Sequence, residues 1–183
     1  MISKVSLHPA VVDCIVFWTK NPAPMIDKLD HLQDYKYYFQ FTLNPYGEKL
    51  ENNLPSVDKR IDIFKRLSDK IGKEKVIWRY DPILLSARYD LQYHAAVFEE
   101  LAAQQADSTK KCIISFLDYY PKIKAGLHQA GLRGLSEDEQ RRLDGKGGLV
   151  VQNASGAAAR AGAVARCSRM LCRLILANGN CSH

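Results

Sequence analysis

The chain has 183 residues, 46% of them hydrophobic and 25% charged, the composition of a globular protein with one core and no clear room for two. No stretch approaches the roughly 20 apolar residues of a membrane helix, and the N-terminal MISKVSLHPAVVD lacks the charged, apolar and small-residue order of a signal peptide, so no membrane partner and a cytoplasmic location are expected. The net charge of +6 points only weakly to nucleic acid, because residues 145–183 hold Lys146, Arg160, Arg166, Arg169 and Arg173 and no acid, which leaves the body nearly neutral.

The spacing predicts a buried strand over residues 13–18 (DCIVFW), short and rich in β-branched and aromatic residues. A helix is expected over residues 23–34, with Met25, Leu29 and Leu32 at helical spacing behind two prolines. A second strand follows at 37–43 (YYFQFTL). Ser56 then suits an N-cap, Ile61, Phe64, Leu67 and Ile71 recur on one face, and Gly72 closes the helix. A third strand is expected at 75–80 (KVIWRY), and Asp90 caps a helix with Tyr93, Val97, Phe98 and Leu101 on one face. A fourth strand spans 111–120 (KCIISFLDYY). PKIKAGLHQAGL and the capping box Ser136–Glu139 each open a further helix.

Alternating strands and helices mean parallel strands joined by crossovers. No strand is followed by G-x-G-x-x-G or G-x-x-x-x-G-K, which removes the usual reason to favour a nucleotide-binding open sheet. The expected fold is α/β, a partial (β/α) barrel-like parallel sheet over residues 1–144. Residues 145–183 form a basic low-complexity tail.

Three strands stop in the same way, at FWTKNP, FTLNP and RYDP. Proline lacks an N–H and pushes its predecessor to an extended conformation, so each polar side chain is expected at the strand end. In parallel β/α folds that end is where ligands bind. The candidate catalytic residues are Lys20, Arg79, Asp81 and Asp118, and the candidate substrate-binding residues are Thr19, Asn21, Thr42 and Asn44. Asn-Pro and Asp-Pro are also plain turn signals. The set suits an anionic small molecule or a carboxylate-bearing cofactor. A non-catalytic binding module for such an anion, or for a nucleic-acid backbone, is the alternative. Of the five cysteines, Cys14 and Cys112 are expected as small buried residues, and the odd total argues against a disulfide scaffold. His31, His94 and His128 lie on helix patterns and are read as surface or packing residues, so no metal ligand is assigned.

VDCIVFWTKNPAPMIDKLDHL, YYFQFTLNPYG, VIWRYDPILLS and CIISFLDYY closely resemble an uncharacterised bacterial family, domain of unknown function 1848, over roughly residues 3–144. The resemblance implies a radical-SAM-like (β/α) barrel. It also implies a 4Fe–4S cluster on a C-terminal C-x-x-x-C-x-x-C-Y-A-N motif, with one iron open for S-adenosylmethionine. It places a first strand with S-R-R-T-D-I-P ahead of Met1, so a fragment is expected. Cys167 and Cys172 are separated by four residues, Ile175 stands where the third cysteine belongs, and Cys181 has no counterpart. All 17 aromatic residues and all seven prolines precede residue 122, and GAAARAGAVAR follows. The tail therefore reads as a GC-rich gene translated out of frame, or as a genuine basic segment. The chain is expected to bind no cluster as written and to be inactive, with its substrate unknown.

Overall fold

The computed structural model describes residues 6–47, 50–117, 126–127, 131–133 and 149–152. Five strands form one open sheet in the order β1 (Ile15–Thr19), β2 (Tyr37–Thr42), β3 (Val76–Ile83), β4 (Lys111–Phe116) and β5 (Leu149–Gln152). The first four are parallel, as the alternating pattern predicts. β5 lies antiparallel against β4 and comes from the tail, where no strand was expected. The helices are α1 (Ala23–Ile26), α2 (Val57–Ile71) and α3 (Leu91–Gln105).

Sheet order follows chain order, and one face takes the helices. Phe41 of β2 stacks on Phe64 of α2 with centroids 5.1 Å apart, and Trp78 of β3 stacks on Phe98 of α3 at 5.0 Å. Phe39, Val76, Tyr80, Cys112 and Ile114 share that buried face. Strand residues alternate sides, so Val16, Trp18, Gln40, Thr42, Ile77, Arg79, Asp81 and Ile113 belong to the opposite face.

Local chemistry explains the helix ends. The Ser56 hydroxyl accepts from the Lys59 N–H, and Gly72 (φ 89°) ends α2 in a conformation that favours glycine. The Asp90 carboxylate accepts from the Tyr93 N–H at 2.7 Å. The helix expected over residues 23–34 is instead the single turn α1 followed by a 3₁₀ turn, Leu29–Leu32. Bonds reaching back three residues, such as Lys28 N–H to the Met25 carbonyl at 2.8 Å, tighten the segment. At three residues per turn Ile26, Leu29 and Leu32 fall in one line, and the first two are buried.

Two further expectations are corrected. Cys14 precedes β1 and is exposed, whereas Cys112 is buried as expected. β3 does not stop at Asp81-Pro82 but runs through it to Ile83. The Asp81-Pro82 bond is cis, the register shifts between Tyr80 and Ile83, and pairing with β4 resumes at Ile83 opposite Phe116. The expected helix at Ser136–Glu139 lies outside the described residues, as does most of PKIKAGLHQAGL.

Candidate ligand site at the strand ends

β1 and β2 end at Thr19 and Thr42, and β3 carries Arg79 and Asp81 beside them. Thr42 and Arg79 are register partners. The Arg79 Nε donates to Asp81 Oδ2 at 2.9 Å, its Nη2 meets the same oxygen, and its Nη1 donates to Gln40 Oε1 at 2.8 Å. The guanidinium carbon lies 4.0 Å from the centroid of the Trp18 ring, a cation–π stack. The Trp18 indole N–H donates to Thr42 Oγ1 at 3.1 Å, which fixes the ring from its edge.

A second cluster adjoins this one. Lys20 Nζ donates to Glu51 Oε1 at 2.7 Å, and Glu51 Oε2 lies 2.8 Å from Arg60 Nη1. The Lys20 side chain is 42% exposed, while those of Glu51 and Arg60 are 4% and 1% exposed. The Arg60–Glu51 contact is at ion-pair distance but off the hydrogen-bond axis, and Arg60 Nε has no hydrogen-bond partner among the described residues. Arg60 Nη2 donates to the Asn44 carbonyl at 3.2 Å.

Asn44 joins the two clusters. Its side-chain nitrogen donates to the Asp81 carbonyl at 2.8 Å, and its side-chain oxygen accepts from the Asp81 N–H at 2.9 Å. The amide thus stands in for a peptide group of β2 where that strand has already ended. Tyr46 continues the brace, donating to the Pro82 carbonyl at 2.6 Å and accepting from the Leu84 N–H at 3.1 Å. Burial pushes the Tyr46 hydroxyl well above the usual tyrosine range, which keeps it a neutral donor.

The charges are not equivalent. Arg79 and Asp81 cancel within one pair, and Arg79 has already committed donors to Asp81 and Gln40. Lys20 and Arg60 share one carboxylate, which leaves one positive charge in excess, and Lys20 is its solvent-facing end.

Arg79, Asp81 and Thr42 therefore meet in one cluster, with Lys20 beside it and Asn44 between. Thr19 and Asn21 lie at the end of β1 and bond locally: the Thr19 hydroxyl accepts from the Asn21 N–H at 3.1 Å, and the Asn21 side chain accepts from the Ala23 N–H at 3.2 Å, starting α1. Asp118 lies outside the described residues. Sequence reasoning missed Trp18, Gln40, Glu51 and Arg60. Gln40 and Trp18 were detectable as members of the alternation that places Arg79. Arg60 breaks the apolar stripe of Ile61, Phe64 and Leu67 with a charge. Glu51 sits in a loop and gave no signal.

Among the described residues no three His, Cys, Asp or Glu side chains gather as a metal site. Cys14 lies ahead of β1, and Cys112 is buried on the helix-covered face of β4. They do not fit an iron–sulfur cluster, and Cys167, Cys172 and Cys181 lie outside the described residues. His31 is exposed, His94 is buried in the core, and His128 lies outside the described residues.

The fold and site together define an α/β protein with a polar cluster at the ends of parallel strands. The family model described as a domain of unknown function (DUF1848) matches residues 1–171, and the chain belongs to that family. The match runs past residue 144 and includes Cys167. No curated protein and no solved structure matches the chain.

Proposed function

We propose that the chain binds a small anionic molecule at the carboxyl ends of β1–β3, as the ligand-binding part of a radical-SAM-like enzyme. The observation that carries the anion reading is the sharing of the buried Glu51 carboxylate between Lys20 and Arg60. That arrangement leaves uncompensated positive charge at the mouth. Lys20 is its accessible end, and partly buried cations attract anions more strongly than fully solvated ones. Arg79, held by Asp81 and Gln40, orients the neighbouring wall.

The test titrates small monocarboxylates and inorganic phosphate by calorimetry at two salt concentrations. Binding is expected, weaker at high salt, lost in Lys20→Met and tightened in Asp81→Asn, which removes the charge that cancels Arg79. Affinity unaffected by salt and by both variants would remove the reading.

The iron–sulfur chemistry implied by the resemblance needs three cysteines in the family's spacing, whereas this chain has Cys167 and Cys172 one residue too far apart, Ile175 in place of the third, and Cys181 without a counterpart. Anaerobic reconstitution with iron and sulfide is expected to leave this chain colourless. A stable brown cluster would show instead that these cysteines are genuine ligands.

A further inference from the structure

We infer that the anion received at the strand ends carries a planar aromatic ring, and that this ring stacks on Trp18. The inference rests on the anion reading above and adds the chemical class of the ligand.

Trp18 is 65% exposed, unusually open for so large an apolar ring in the middle of a cluster of hydrogen bonds. It is nevertheless held at two points. Its N–H is engaged by the Thr42 hydroxyl, and one face of the ring rests on the Arg79 guanidinium. That guanidinium is in turn fixed by Asp81 and Gln40. The indole is therefore a preoriented platform with one covered face and one open face, and a ligand that stacks on it loses little additional rotamer freedom.

Charge selects the ligand further. The cation behind Trp18 already draws on the ring's π electrons, so the open face is a poor seat for a second cation. An electron-rich planar ring stacks there favourably in an offset arrangement. Lys20 follows Trp18 by two residues, one past the end of β1 at Thr19, and its ammonium is the solvent-facing end of the excess charge. An anionic group one ring's width from the stacked ring reaches the excess positive charge of Lys20 and Arg60.

The experiment compares 2-naphthoate with decahydro-2-naphthoate, equal in charge and similar in size but differing in planarity. Both are titrated into the full chain by calorimetry and by NMR of the indole N–H resonances. Trp18 is assigned by the peak missing in Trp18→Phe. The aromatic acid is expected to bind about tenfold tighter, the stacking contribution of about 1.4 kcal/mol read as a ratio of affinities, and to shift the Trp18 indole. Trp18→Leu is expected to erase the difference between the two acids. The cation 2-naphthylmethylammonium is expected not to bind. Equal affinity of the two acids with no Trp18 shift overturns the stacking inference and leaves the anion reading standing. Equal binding of the ammonium compound and 2-naphthoate overturns the charge preference. Binding of neither acid by a chain that binds a small monocarboxylate or inorganic phosphate overturns this inference alone, and binding of none of them overturns the anion reading with it.

Discussion

Glu51 serves two cations with one carboxylate, and its buried partner Arg60 has an Nε without a hydrogen-bond partner among the described residues. Removing the negative charge strands a guanidinium in the interior, so Glu51→Gln is expected to lower stability by about 3–5 kcal/mol in urea unfolding. A loss near zero would mean that the pair is solvated in solution. His94 is the second residue under constraint. Its Nε2 lies 2.9 Å from the Leu84 carbonyl, which only accepts, so Nε2 carries the proton and Nδ1 accepts from the Tyr80 hydroxyl at 2.8 Å. Burial lowers the His94 pKa below its ordinary 6.5. The folded state then binds fewer protons than the unfolded one just below that value. The stability is fully present above about pH 6.5 and is lost as pH falls toward the lowered folded value. The urea midpoint is expected to drop from about pH 7.5 to about pH 5.5, and His94→Gln is expected to flatten that drop. Lys20, Arg79 and Asp81 were legible in the sequence because each follows an apolar run. Glu51 was not, because a loop residue has no periodicity to betray its burial.

β3 shows what an element can do with a proline. Past Arg79 its neighbour β2 has ended, and the Asn44 side chain supplies both halves of the missing peptide pairing to Asp81. Asn44→Ala leaves that N–H and carbonyl to find water in a partly buried place, a loss of about 1–3 kcal/mol, and it loosens the carboxylate that holds Arg79. The loss is read in urea, and a silent variant would show that solvent replaces the amide. At the other end of the chemistry, α3 buries the Gln105 amide with no hydrogen-bond partner among the described residues. Gln105→Met is expected to raise stability by about 1–2 kcal/mol in the same assay, since it removes an unsatisfied polar group at similar volume. The ends of α2 were readable because Ser56 and Gly72 act through local hydrogen bonds and φ. The continuation of β3 was not, because it depends on an asparagine from another strand. The 3₁₀ segment after α1 was hidden for a related reason: i, i+3 spacing fits both helix types over so short a run.

At the scale of the molecule, the larger of two buried apolar clusters among the described residues joins β2–β4 to α1, α2 and α3, with partly buried Phe17 of β1 packed against it, and the smaller gathers Tyr46, Leu84, Tyr89 and Leu132. A core of this extent in one sheet unfolds as a unit. Trp78 fluorescence, read in a Trp18→Phe background, and helical circular dichroism are expected to give the same urea midpoint. Separate midpoints would mean that α3 and its strand pair part before the rest. The alternating pattern carried the number and parallel direction of β1–β4 in plain view, because alternation calls for crossover connections, whereas their order in the sheet was not read from it. β5 escaped notice because the composition around it is that of a tail, and a four-residue pairing leaves little periodic signal.

The strand order also bears on how the chain is made. Ile15 pairs with Tyr37, Phe39 with Val76 and Ile77 with Lys111, so each new strand docks on the one synthesised just before it. Each docking closes a loop of only a few tens of residues, and doubling a loop's length adds just about 0.6 kcal/mol. The sheet grows in the order in which the ribosome delivers it, and no strand among β1–β4 waits for a partner from the far end of the chain. A translational pause after β3 would therefore leave on the ribosome a three-stranded intermediate that already holds Lys20, Asn44, Arg79 and Asp81 on consecutive neighbours.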